Sequence, residues 1–415
     1  MAEKLRLYRQ AQPRPGKALT GLAARSLEEE VKGSLGGATS IMQRFASSMT
    51  RDIKASVATA TVNAYAPKWL KFKESCEAHE EIPLPAQEVT IAAYLSSASD
   101  QDKTFSATKK RRAAVAFYHN LHDHPSPCNG ALVSRVMKGI RRRTGSAGKK
   151  KAAVSYEDVL AVQREATRSG DASEELVADW TSIMHEGRFR FDDAHGMNLG
   201  DLVFEQYFVR ILVVDTKSDK DREGQWGLLA VSSDPQSAYQ RLIALILRGI
   251  TRFQDLPRET RRALRLRLAH NQCRPFREPG SSAIATIPRE IAEAANNAGL
   301  TNELLENLPL MGTWLWGKLE QSGDLRSVMN YQPFLGTLKA LFERATEHSA
   351  AEIGTHSMRR GGTTGKIAAG VDDRLVKFLG RWRSETTFAG YIDARTTAKL
   401  CAEAIERTRP EPQRR

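Results

Sequence analysis

In the stretch TVNAYAPKWLKFKESCEAH, Val62, Tyr65, Trp69 and Phe72 fall three and four residues apart, the period of one helix face. Pro67 lies inside that pattern and predicts a kink or the helix's first turn. After the loop IPLPAQEV, TIAAYLSSAS predicts a short apolar helix. SATKKRRAAVAFYHNLHDH predicts a third, with Ala114, Val115, Phe117, Tyr118 and Leu121 on its apolar face and Lys109, Lys110, Arg111 and Arg112 beside it. ALVSRVMKGIRRR predicts a basic fourth helix. Residues 47–143 therefore read as a helical domain with cations on several helices. The first 46 residues mix Arg, Lys, Gly, Pro and Ser, and read as a mobile segment with one helix near Ser26–Val31.

The pattern changes in the second half. SYEDVLAVQREATRS is helical, with Ser155 placed to cap it. YFVRILVVDTKSDK is rich in β-branched and aromatic residues, breaks at polar ones, and predicts a strand entering a hairpin; WGLLAVS predicts the return strand. From Ser237 onward the periodicity is mostly helical, and no internal repeat is present. The fold class is mainly α with a small antiparallel β-sheet.

Charge adds a direction. The chain has 415 residues, enough for two or three cores, and 62 Lys and Arg against 49 Asp and Glu give a net charge of +13. Between the two halves, RRRTGSAGKKK predicts a flexible basic linker over residues 144–153. Arg135, Lys138, Arg141, Arg142, Arg143, Lys149, Lys150 and Lys151 put eight cations into seventeen residues, a density suited to a phosphate backbone. The four cysteines are far apart, with no CxxC or Cys/His cluster, so neither a metal site nor a disulfide framework is predicted. The N-terminus MAEKLRLYRQ has no apolar signal core, and no run of about 18 apolar residues occurs. The excess of cations thus points to nucleic acid rather than membrane, in an intracellular setting.

The chemistry concentrates near the C-terminus. In HSMRRGGTTG, His356 and Arg359 share one helix face, followed by two glycines that cost a helix on the order of 1 kcal/mol each. GVDDRLVKFLG follows, with an Asp cap and an apolar face of Val371, Leu375, Phe378 and Leu379. In RWRSETTFAGYIDA, Ser384 can cap a short helix leading to Tyr391. His356, Arg359, Trp382 and Tyr391 thus sit on consecutive short helices that can converge. Such a set suits phosphodiester transfer by a tyrosine nucleophile. Guanidinium forks match phosphate and stay charged. A phenol with a pKa around 10 needs a base or cationic surroundings, and histidine can take its proton near neutral pH.

The motifs H-x-x-R, L-G-R-W and Tyr resemble those of the tyrosine recombinase (phage integrase) family, and LGRW-x-S is most like the recombinases of Crypton and DIRS-type mobile elements. The resemblance covers about residues 47–410 and includes TVNAY, LPAQEV and VMKGIRR of the first domain. It implies an N-terminal core-binding domain of SAM-like fold and a catalytic domain over 154–415, closing as a C-shaped clamp around double-stranded DNA. It implies that Arg190 and Arg359 bind the scissile phosphate, with Asp193 supporting Arg190. His356 is implied as base and phosphate ligand, Lys217 as general acid, Trp382 as an N–H donor and Tyr391 as nucleophile. Arg188 and Lys220 are the alternatives for the first arginine and the lysine. The chemistry needs no cofactor and no metal, and family members act as tetramers on two DNA sites. The family tail docks on a neighbouring protomer, here RTTAKLCAEAIERT. Residues 233–330, with the Arg-rich TRFQDLPRETRRALRLRLAH, read as a helical insertion. A topoisomerase IB-like or hairpin-resolving enzyme, and a DNA-binding protein without activity, are the alternatives.

Overall fold

The computed structural model describes residues 59–102, 104–145, 150–213, 224–270, 286–311 and 329–392. The N-terminal segment with its Ser26–Val31 helix, Lys149, Lys217, Lys220 and the C-terminal RTTAKLCAEAIERT lie outside these residues. The described residues fall into two compact units, one ahead of Lys150 and one from Lys150 onward.

The first unit is a set of four helices: α1 (Thr59–Ala78), α2 (Glu88–Gln101), α3 (Phe105–Leu121) and α4 (Ala131–Thr144). Its core follows the sequence pattern: Val62, Trp69 and Phe72 are buried. Trp69 stacks on Tyr118 of α3 with ring centroids 4.8 Å apart, and Phe72 meets Tyr94 of α2 edge-on at 5.1 Å. Pro67 neither starts nor ends α1, which runs on through it. The loop before α2 is held by His119, whose Nε2 accepts from the Ala86 amide at 3.0 Å while Nδ1 donates to the Val115 carbonyl at 2.8 Å. The Glu88 carboxylate accepts from the amides of Leu132 (2.7 Å) and Val133 (3.0 Å), placing negative charge at the N-terminus of the basic helix α4.

The second unit is built on α5 (Tyr156–Ser169) and α6 (Ala172–Glu186). Ser155 caps α5 in both directions: its hydroxyl accepts from the Asp158 amide at 3.0 Å, and the Asp158 carboxylate accepts from the Ser155 amide at 2.8 Å. Every residue of α6 from Leu176 to His185 is buried, so this helix is the centre of the core. A short turn of helix, α7 (Phe191–His195), leads into an antiparallel sheet of β1 (Leu202–Phe204), β2 (Phe208–Val213) and β3 (Gln225–Ala230) in the order β1-β2-β3. The register pairs Val209 with Leu229 and Ile211 with Leu202.

Then follow α8 (Ala238–Asp255), α9 (Arg258–His270), α10 (Arg289–Asn297), α11 (Asn302–Glu306) and α12 (Tyr331–Ala345). These helices are not an appendage. Leu245, Ile246 and Phe253 of α8, Leu264 and Leu268 of α9 and Ile291 of α10 belong to the same buried cluster as Trp180 and Ile183 of α6. The described residues end in α13 (His356–Ala368), α14 (Asp373–Leu379) and α15 (Glu385–Ala389).

One expected face is turned. Asp372 caps α14 by accepting from the amides of Arg374 and Leu375, but Leu375 and Phe378 are exposed and Val376 is the residue buried. Leu375, Val376, Phe378 and Leu379 share one broad side of the helix opposite Asp373, Arg374 and Lys377, so periodicity gives the side but not which edge of it packs inward. The choice is made by the cluster of Val376, Trp382 and Phe388, against which Val371, Ile367 and Tyr391 pack.

Candidate active site

Three backbone segments meet at the end of α6: the loop Gly187–Arg190, the first turns of α13, and the turn that carries Arg381 and Trp382. α13 can approach because it lacks side chains where it touches. A Cβ on Gly361 would lie 1.9 Å from the Val154 carbonyl oxygen, and one on Gly362 would lie 1.9 Å from that of His185. The two glycines that weaken the helix thus seat it directly on protein backbone.

That seating buries Arg359 completely. Its Nη1 donates to the Arg188 carbonyl and its Nη2 to the Gly380 carbonyl, while Nε is buried with no partner. Two rings cover the guanidinium, Trp382 with its centroid 4.3 Å away and Tyr391 at 5.3 Å. Burial lowers the pKa of Arg359 to about 9, helped by the like charges of Arg190 and Arg381 and opposed by Asp193 and Tyr391.

The Tyr391 hydroxyl lies 3.2 Å from Nδ1 of His356, whose side chain is exposed at the start of α13. The Tyr391 ring also packs against Trp382 at 5.2 Å, and its carbonyl accepts from the Thr364 hydroxyl at 3.4 Å. Trp382 is buried, and its indole Nε1 has no hydrogen-bond partner. Arg190 begins α7. Its amide donates to Asp193 Oδ2 at 3.0 Å, and its Nη1 is 3.9 Å from the same oxygen. The Arg190 side chain is partly open to solvent, whereas Arg188, the alternative, is buried. Burial and the neighbouring Arg381 lower Arg188 to about 10.

The structure thus brings together Arg190, Asp193, His356, Arg359, Trp382 and Tyr391. It adds Arg188, the alternative to Arg190, and Arg381, to which the sequence assigned no role. Arg381 is buried and paired with Asp193 at 3.3 Å. The signal for Arg381 was present, inside LGRW, but nothing in spacing or periodicity gives it a task. Asp193 is ion-paired with two of these four arginines, Arg190 and Arg381, and is the one carboxylate so paired with any of them among the described residues. Four guanidiniums around one carboxylate leave a site short of negative charge, and α13 has no acidic residue in its first turn to offset its dipole. An anion supplies what is missing. Among the described residues, no group of His, Cys, Asp and Glu could hold a metal ion.

The expected DNA-facing cations divide into two groups. Arg111 is tied to Asp102 at 3.0 Å and to the Tyr94 hydroxyl at 3.0 Å. Arg112 donates to the Cys128 carbonyl and the Asn129 side chain, each at 3.0 Å, and Arg143 to Asp100 at 2.6 Å. Lys151 donates to the Ala351 carbonyl at 2.6 Å. Lys109, Lys110, Arg135, Lys138, Arg141, Arg142 and Lys150 are exposed.

No family model matches the chain. It is similar to an integrase/recombinase XerD homologue of Selenomonas ruminantium, with 25% identity over 233 residues, 52% of this chain and 66% of that protein. On this match the chain resembles integrase/recombinase proteins. Just under two thirds of the XerD homologue's length is spanned by the match. Among solved structures, the Tn1549 transposon integrase in complex with circular intermediate DNA has a TM-score of 0.43 at 12% identity, covering 93% of this chain and 99% of that one. The XerH site-specific recombinase bound to its difH substrate has a TM-score of 0.43 at 14% identity, covering 96% and 93%. No helix among the described residues is long and apolar enough to cross a membrane.

Proposed function

We propose that the chain is a DNA strand transferase that cuts and rejoins double-stranded DNA through Tyr391, as a site-specific recombinase of a mobile element. The observation that carries this is the Tyr391 hydroxyl 3.2 Å from His356 Nδ1, on a ring whose centroid lies 5.3 Å from the buried guanidinium of Arg359. A neutral His356 accepts the phenol proton as Tyr391 attacks phosphorus. The bond to the 5′ oxygen breaks, the 3′ phosphate is left on tyrosine, and Lys217 protonates the departing oxygen. Arg190 and Arg359 hold the non-bridging oxygens, and the unpartnered indole N–H of Trp382 adds a third donor. Arg359 is reached only when the Tyr391 ring leaves its position over the guanidinium, the same motion that carries the hydroxyl to phosphorus. The phosphotyrosine bond conserves the phosphodiester energy, so a second 5′-hydroxyl can reverse the step on another strand without metal or nucleotide. Exchange requires two sites, and a homotetramer clamped on them by both units supplies four nucleophiles.

A nicked suicide duplex carrying a binding site selected by the protein tests this. The protein becomes covalently attached to the DNA, and Tyr391→Phe abolishes the adduct while leaving duplex binding in place. An adduct that survives the substitution would falsify the assignment of the nucleophile. Crossover products from two sites distinguish exchange from simple resealing.

A further inference from the structure

Arg381 has a backbone φ of 58°, in the left-handed region that a residue with a Cβ rarely adopts. Its side chain is 3% exposed, and both of its terminal nitrogens are taken up by protein acceptors. Every hydrogen bond that its side chain makes is with the segment Gly187–Asp193. Nη1 donates to the Gly187 carbonyl at 3.4 Å, and Nη2 donates to the Arg188 carbonyl at 3.2 Å and to Asp193 Oδ2 at 3.3 Å. The guanidinium also lies over the Phe189 ring at 4.7 Å. β3 is shaped to admit this packing: a Cβ on Gly227 would sit 2.4 Å from the Phe189 ring and 2.9 Å from Arg381 Nη1.

Two of those acceptors also serve the arginines assigned to phosphate. The Arg188 carbonyl accepts from Arg359 Nη1, and Asp193 Oδ2 accepts from the Arg190 amide at 3.0 Å. Arg381 is therefore one shared oxygen away from each of them. Arg188, whose carbonyl joins the two guanidiniums, is itself left-handed at φ 52°. Two strained residues locked by the same set of bonds mark a geometry that the surroundings hold in place.

We propose that Arg381 is a positioning residue, which clamps the Gly187–Asp193 loop and so fixes the guanidiniums of Arg190 and Arg359 for a phosphate it never touches. The proposal rests on the strand-transfer reading. An arginine that only stabilises the fold would change the amount of folded protein; a positioning arginine changes the rate of attack in protein that is folded and bound.

The experiment uses the full chain. Adduct formation is followed in single turnover on the nicked suicide duplex for the parent, Arg381→Gly, Arg381→Lys, Asp193→Asn and the Arg381→Gly/Asp193→Asn pair. Arg381→Gly relieves the left-handed backbone while removing the fork. The adduct rate falls about 10²-fold in Arg381→Gly, the scale of a small misplacement of reacting groups. Arg381→Lys recovers part of that rate. The double variant is no slower than the slower single one, because both remove one unit. Duplex affinity, measured in a Tyr391→Phe background, stays close to that of the parent. Amide exchange over residues 187–193 quickens in Arg381→Gly. A full adduct rate in Arg381→Gly, or losses that multiply in the pair, overturns the proposal. A parent that forms no adduct sinks the strand-transfer reading instead. Amide exchange then decides the clamp, and unchanged protection in Arg381→Gly refutes it.

Discussion

Arg359 and Gly361 are two parts of one structural decision: a guanidinium with no solvent exposure needs a helix that can sit flush on its neighbours. Arg359→Lys keeps a charge but not the fork. One ammonium nitrogen cannot reach both the Arg188 and Gly380 carbonyls and present a planar face to Trp382. The adduct rate on a suicide duplex is expected to fall by about 10² to 10³, the loss typical of removing one preorganised donor to a developing oxyanion. The glycines permit a stability test without DNA. Gly361→Ala forces a Cβ against the Val154 carbonyl, where both partners are backbone and neither side can rotate away. Overpacking of this kind costs about 1–3 kcal/mol. Gly365, on the same helix, has nothing within 4 Å of an added Cβ, so Gly365→Ala should instead stabilise by about 0.5–1 kcal/mol. Urea midpoints of the two variants, moving in opposite directions from the parent, check the seating of α13.

At the scale of elements, what the sequence made legible depended on length and on chemistry. The helices of the first unit and the strands around the hairpin follow the apolar period, and Ser155, Asp372 and Ser384 cap where their side chains allow. The residues His356, Arg359, Trp382 and Tyr391 were readable because spacing links them. The inward edge of α14 was not, since its four apolar residues share one broad side and two turns of helix do not say which edge of that side packs. The role of Arg381 was not either, because it depends on carbonyls of a loop 190 or so residues away in sequence. Nor could the pattern show that the last turn of α6 carries an acid-sensitive group. His185 is buried, its Nε2 bonded to the Val154 carbonyl at 3.3 Å, and its pKa is lowered to about 4. Desolvation is the main cause, with Arg188 and Lys366 adding to it and Asp158 opposing. Between the ordinary value of 6.5 and about 4, the unfolded chain binds this proton and the folded one does not. The stability this ring contributes is therefore full above pH 6.5 and is lost as pH falls through that window, by on the order of 3 kcal/mol at most. His185→Gln should flatten the dependence of the urea midpoint on pH between about 6.5 and 4, compared with the parent over the same range.

For the whole molecule, the question is which of its cations are free to meet phosphate. Counting charges over 109–112 and 135–151 treats them alike, but the structure does not. Arg111 lies in a pocket with Asp102 and Tyr94, and its bond to the carboxylate raises its pKa. Lys109, Lys110, Lys138, Arg142 and Lys150 stand exposed. If the exposed group tracks a DNA backbone, each contact releases condensed counterions, and the logarithm of the association constant falls against the logarithm of salt with a slope of about −0.9 per phosphate. Lys138→Gln, Arg142→Gln and Lys150→Gln should each make that slope shallower by about 0.9, and weaken binding to all duplexes alike. Arg111→Gln should behave differently. It leaves the Asp102 carboxylate, only 9% exposed, without its cation, so the first unit loses about 2 kcal/mol or more of stability. Where that unit remains folded, the salt slope stays at the parent value. Fluorescence anisotropy on one labelled duplex across a salt series, with Tyr391→Phe as the common background, separates the two outcomes. A slope that falls with Arg111 and not with the exposed three would place the DNA on a different face of the helices.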